Sequence, residues 1–232
     1  MRKLLIAVVV LLILAAAADF VAARVFEDRV TDAVRREYEL DKRPVVQVRD
    51  FPFLPHLATG RFTAIDVAAS EVETEGVNAA QIQLHLHGVR VPREVLLGEP
   101  GRVTVDRADG NIELTEAEVN RLLADRLQGG ALAIGADGVR LRVQVQLLGQ
   151  PLDALVTGKL GARDGAVTFR PDSVRLGETG QLGQAGEDLV ASQFTFEVPL
   201  PELPAGVRLE RIETRPGTLV LSGRAAGIGV AA

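Results

Sequence analysis

The stretch "GVRLRVQVQLLGQ", Gly138 to Gln150, decides how the fold is read. Val139, Leu141, Val143, Val145 and Leu147 alternate with Arg140, Arg142, Gln144 and Gln146. Successive side chains of a strand leave opposite faces, so this segment is apolar on one side and wet on the other. The apolar side covers either an ordinary packed core or the wall of a space that holds something else.

The same period recurs on both sides of it. Ile82, Leu84 and Leu86 alternate with Gln81, Gln83, His85 and His87, and Ile65, Val67 and Ala69 alternate with Asp66 and Ser70. Downstream, Asp164-Gly165 marks a hairpin before Val167 and Phe169, and Phe194, Phe196 and Val198 resume the alternation. The "GETGQLGQAGEDL" segment reads as an exposed connection, and the C-terminal residues read as two strands around Pro216-Gly217. Asp109-Gly110 reads as one more hairpin turn, and "RDFPFLPHLATGRF", with Pro52, Pro55 and Gly60, as a turn-rich piece.

Two segments carry the helical period instead. In "DFVAARVFEDRVTDAVRREYEL", Ala23, Val25, Phe26, Val30, Ala33, Val34 and Tyr38 share a stripe. That predicts an amphipathic helix of about five turns, ended before Pro44. A shorter helix follows Thr115, where Thr115 and Glu118 have capping-box spacing and Leu122, Leu123 and Leu127 supply the buried side. Strands outnumber helices without βαβ alternation, so the fold class is α+β on a largely antiparallel sheet.

The N-terminus carries an address. "MRKLLIAVVVLLILAAAAD" has two early cations, an apolar run from Leu4 to Ala18, and Ala16 and Ala18 at an A-x-A-like exit. Fifteen helical residues span about 22 Å, short of a hydrocarbon layer of about 30 Å, which favours a cleaved signal peptide over residues 1–18. Phe20 to Ala23 prolong the apolar run beyond Asp19, which keeps an uncleaved anchor through residues 4–23 open. Both readings put one folded domain, residues 19–232, outside the cytoplasmic membrane.

Composition removes many functions. The absence of cysteine excludes disulfides, zinc–thiolate sites and thiol catalysis. A net charge of −5 with 4% aromatic residues argues against nucleic acid as a partner. His85 and His87 would leave one strand face together, with His56 as a third metal ligand, but a wet strand face explains them more simply. No nucleophile elbow or phosphate-gripping loop is present, and Glu116 and Glu118 suit the first turn of a helix. A binding protein without cofactor or metal is expected, and not an enzyme.

In order along the chain, "FPFLPHLATGRFTAIDVAAS", "GNIELTEAEVNRLL", "GAVTFRPDSVRLG" and "FTFEVPLPELPAGVRLERIETRPGTLVLSGRAAGI" resemble the LmeA-like phospholipid-binding proteins of the actinobacterial cell envelope. The resemblance implies a strongly curved sheet wrapped around the long N-terminal helix, as in tubular lipid-binding domains. It also implies an exported protein of the envelope or periplasmic space that binds phospholipids, phosphatidylinositol-type lipids among them. Support of lipid, lipoglycan or mannan assembly, or lipid transfer, would follow.

Physical chemistry supplies candidate contacts for such a ligand. Each buried CH₂ contributes about 0.8 kcal/mol, so acyl chains need more branched apolar lining than a core consumes. Ile82, Leu84, Leu86, Val139, Leu141, Val143, Val145, Leu147, Val167, Phe169, Phe194, Phe196 and Val198 are the lining candidates. Arg61, Arg90, Arg140 and Arg142 are the cations an anionic headgroup would meet. The competing reading is a structural or scaffolding envelope protein, in which the same residues are filled core and solvated charge.

Overall fold

The computed structural model describes residues 2–74, 76–124, 129–147, 150–163, 166–176, 196–199 and 206–231. The order is α1 (Arg2–Glu37), β1 (Val45–Val48), α2 (Phe53–Thr59), β2 (Arg61–Thr74), β3 (Val77–Arg90), α3 (Arg93–Leu96), β4 (Arg102–Thr115), α4 (Glu116–Leu122), β5 (Ala131–Ile134), β6 (Val139–Leu147), β7 (Gln150–Arg163), β8 (Ala166–Leu176), β9 (Phe196–Pro199), β10 (Arg208–Arg215) and β11 (Thr218–Ala231). The fold is α+β, as the patterning indicates, with a long N-terminal helix and antiparallel strands. The strands form two sheets, ordered β1-β2-β3-β4-β11-β10 and β5-β6-β7-β8-β9. The division follows from Thr115, which ends β4 and at once caps α4, so the strand after the helix starts a new ladder.

The chain forms two compact units. One comprises Met1–Glu71, Gln83–Gly110 and Ala225–Ala232; the other comprises Val72–Ile82 and Asn111–Arg224.

In the first unit, α1 runs unbroken through the apolar segment and the amphipathic one. Ala22, Ala23, Phe26 and Val30 pack on a core of Val46, Phe53, Phe62, Ile65, Val89 and Val105. Val25 and Tyr38, expected on that stripe, are exposed. Three of the eight phenylalanines gather here: the Phe26 ring centroid lies 5.3 Å from those of both Phe53 and Phe62. Asp19 is buried beside them, and its carboxylate accepts the Phe53 and Leu54 N–H groups at 2.8 Å each. It thereby satisfies two of the free donors that begin α2, where Pro52 offers no side-chain cap.

The turn-rich expectation for residues 49–62 is corrected by α2 and by the start of β2 at Arg61. Pro52 precedes the helix and Pro55 sits in its first turn, where a missing N–H costs nothing. Gly60 ends it in the left-handed region at φ 65°, and its carbonyl accepts the Val91 N–H at 2.8 Å. A Cβ there would collide with the Val91 carbonyl oxygen, so this turn requires glycine.

Asp109-Gly110, expected as a hairpin, lies inside the continuous strand β4. Leu84 of β3 lies over the Gly110 backbone: a Cβ there would stand 2.7 Å from Leu84 Cδ2 and 3.3 Å from the Gln83 carbonyl oxygen. The Pro216-Gly217 turn forms between β10 and β11 as read, and Asp164-Gly165 lies outside the described residues, as does the 177–189 connection.

In the second unit, α4 is held by its own polar side chains. Thr115 Oγ1 accepts the Glu118 N–H at 3.2 Å, half of the expected capping box. The Glu118 carboxylate turns away instead, to Arg121 Nε at 2.8 Å and the Asn78 N–H at 2.8 Å. Asn120 exchanges hydrogen bonds with the backbone of Leu132, and Glu116 accepts the Ile134 N–H at 2.7 Å, so α4 satisfies the outer edge of β5.

Two stability measurements check this account. Phe53→Ala should cost about 3–5 kcal/mol in denaturant unfolding, whereas Phe51→Ala, at a side chain 76% exposed, should change stability by less than about 0.5 kcal/mol. Hydrogen bonds from Arg121, then the Asn78 backbone N–H, outweigh burial and lower the Glu118 carboxyl from its ordinary 4.5 to about 2. Its contribution is therefore full above pH 4.5 and lost as the pH falls toward 2. The stability gap between the native chain and Glu118→Gln should close over that window.

Candidate functional site

The lining candidates fall on two sheets. On β6, Val139 is fully buried and Leu141 nearly so, while Val143 is half-buried. The register sets Ile134, Val139 and Gly158 in one row across β5, β6 and β7, and Leu132, Leu141, Val156 and Val174 in the next, across β5 to β8. On β8, Phe169 is buried and Val167 half-buried. The Phe169 ring lies on Gly158, where a Cβ would come within 2.7 Å of it, and the β7–β8 register shifts at that glycine. These residues form one apolar face, in the alternation the sequence predicts.

Ile82, Leu84 and Leu86 lie on β3 of the other sheet, all half-buried, with Leu86 packed against the Phe53–Phe62 core. For Val145, Leu147, Phe196 and Val198 the side chains lie outside the described residues, though all four are strand backbone. Phe194 lies outside them altogether.

The four candidate cations separate into two pairs. Arg140 and Arg142 are exposed on β6, opposite Val139 and Leu141, and belong to the second unit. Arg61 and Arg90 meet in the first unit, in an open cleft of about 810 Å³ that also takes in His56, Thr59, Thr63, His87 and Asp106. The end of α2, the start of β2 and the end of β3 bring them together, because the Gly60 turn returns the chain against Val91. Arg90 Nη2 donates to Asp106 Oδ2 at 3.0 Å. Arg61 has no carboxylate partner among the described residues, which leaves its guanidinium available to an anion.

The histidines diverge. His85 Nδ1 lies 2.8 Å from Asp66 on β2, whereas His87 Nε2 lies 3.5 Å from Asp109 on β4. His56 Nδ1 stands 3.4 Å from the Arg61 carbonyl oxygen and 3.8 Å from Asp50. Neither Asp66 nor Asp109 is near the pair in sequence; cross-strand pairing alone places them, so spacing could not find them. Burial of Asp66 opposes its charge, but hydrogen bonds from His85 and Arg49 outweigh that and hold its carboxyl below the ordinary value. Among the described residues no three His, Asp or Glu side chains are placed to hold a metal ion.

A second recess, of about 290 Å³, lies where α1 meets α2, bordered by Asp19, Phe20, Arg24, Arg49, Phe51 and Phe53. The sequence marks Asp19 only as the residue after an apolar run; its seat against α2 depends on a contact 34 residues away.

No curated protein and no solved structure matches the chain. A family model described as LmeA-like phospholipid-binding matches residues 17–224, from the turn of α1 before Asp19 into β11. With that match covering nearly all of the strands, the chain belongs to the LmeA-like phospholipid-binding family.

Proposed function

We propose that this is an exported phospholipid-binding protein of the cell envelope, without catalytic activity, that shelters acyl chains on apolar strand faces and supports lipid or lipoglycan assembly or lipid transfer. Residues 19–232 act as one functional domain. The observation that carries the reading is the family match over residues 17–224. The apolar helix near the start, long enough to cross a membrane, supports an envelope location.

Each unit offers its own candidate acyl contacts, Ile82 and the face around Val139, Leu141, Val143, Val167 and Phe169 in the second and Leu84 and Leu86 in the first, where branched side chains remove CH₂ groups from water. The headgroup phosphate is assigned to Arg61, with Arg90 beside it, because a guanidinium offers a planar fork to phosphate oxygens. A phosphatidylinositol-type headgroup would add hydroxyls within reach of Thr59 and Thr63 in the same cleft.

Two observations favour the alternative, a scaffolding protein with a filled interior: the Phe169 ring is seated on Gly158, and Val139 is wholly buried. Native mass spectrometry of residues 19–232, produced in cells and kept free of detergent, separates the two. A discrete added mass matching a phospholipid is expected; bare protein, even with lipids supplied, means scaffolding. Arg61→Ala should weaken binding of an anionic phospholipid about tenfold, ~1.4 kcal/mol, in a vesicle titration. An unchanged affinity in the Arg61→Ala/Arg90→Ala double variant removes that cleft from headgroup recognition.

A further inference from the structure

The helix α1 changes surroundings abruptly at Asp19. Before it, Ile6 and the run Val8 to Leu14 are exposed on all sides. From Asp19 onward the helix is seated on the first unit, through the Asp19 carboxylate and then Ala22, Ala23, Phe26 and Val30. At the level of that change four large apolar side chains face outward: Phe20 at 60% exposure, Val21 at 59%, Phe51 at 76% and Leu54 at 43%. Phe20 and Phe51 border the same recess, and Leu54 follows the residue whose N–H Asp19 holds. The Arg24 guanidinium lies 5.2 Å over the Phe20 ring.

We propose that Phe20, Val21, Phe51 and Leu54 form a collar that enters the interfacial layer of the membrane crossed by an uncleaved α1, so that the first unit stands directly on the bilayer. The proposal deepens the envelope location given above and rests on it. The apolar run is continuous with the collar, which identifies what covers these side chains. Measured to Val21, the helix from Leu4 covers eighteen residues, about 27 Å, close to the hydrocarbon thickness that Leu4 to Ala18 alone fall short of. Asp19 would be costly within that length, but two backbone N–H groups already satisfy its carboxylate. Aromatic rings beside cations at one end, and Arg2 and Lys3 at the other, match the two interfaces of a span whose N-terminus is cytoplasmic.

The chain has no tryptophan, so one introduced indole reports its own surroundings. The full chain carrying Phe51→Trp is reconstituted into phosphatidylcholine–phosphatidylglycerol vesicles with or without brominated acyl chains, beside Tyr38→Trp as a reporter at the far end of α1. The intact mass of the protein recovered from its native membrane is measured in parallel. An intact N-terminus, with blue-shifted emission at position 51 that loses most of its intensity to brominated lipid while position 38 keeps its own, supports the proposal. Emission at position 51 as red-shifted and unquenched as at position 38 overturns the collar while leaving the anchor and phospholipid binding standing. A mass that begins at Asp19 overturns the proposal, again without touching phospholipid binding, which the added-mass measurement decides separately.

Discussion

The carboxylate of Asp19 is the constraint on which the arrangement of the first unit depends. A lone charge in a helix that is otherwise apolar for most of its first half is unfavourable unless something neutralises it. The opening amides of α2 do so, and in return α2 gains the cap that Pro52 does not give it. With that contact made, Phe26 is delivered between Phe53 and Phe62, and the three rings close the core beneath β2 and β3. The Gly60 turn then fixes where Arg61 emerges, so the position of the basic cleft follows from the same local geometry.

The second unit is organised differently. Its core is a set of rows across β5 to β8, where residues directly opposite one another bury the same kind of side chain. Gly158 is the exception within those rows, and the place of its missing side chain is taken by the Phe169 ring. Small residues in a strand serve here as seats for large neighbours, as Gly110 does for Leu84 in the first unit.

The strands were the legible part of the sequence. Val139 and Leu141 are buried and Arg140 and Arg142 exposed because a period of two leaves a strand few alternatives once one face is dry. The α2 helix was not legible, since two prolines and a glycine in nine residues read as punctuation, and only their positions before the helix, in its first turn and at its end make them compatible with it. The Asp109-Gly110 pair misled for a related reason: its glycine lies in a continuous strand, with the Leu84 side chain of the neighbouring strand over it, and not at a reversal of the chain. The candidate cleft was half visible. Spacing offered Arg61 and Arg90 as separate cations, but their place in one cleft, and the pairing of His85 with Asp66, depend on which strands lie side by side.

The hydrogen bonds from Asn120 and Glu116 to the backbone of Leu132 and Ile134 have a consequence for how copies of this chain meet. A free ladder rim invites an extended segment from another molecule to dock and continue the sheet. Here the rim of β5 is closed by side chains whose reach depends on α4 remaining wound and in place. Intermolecular strand addition at that rim therefore first requires α4 to detach, and the Glu118–Arg121–Asn78 contacts that hold the helix also guard the protein against polymerising through it.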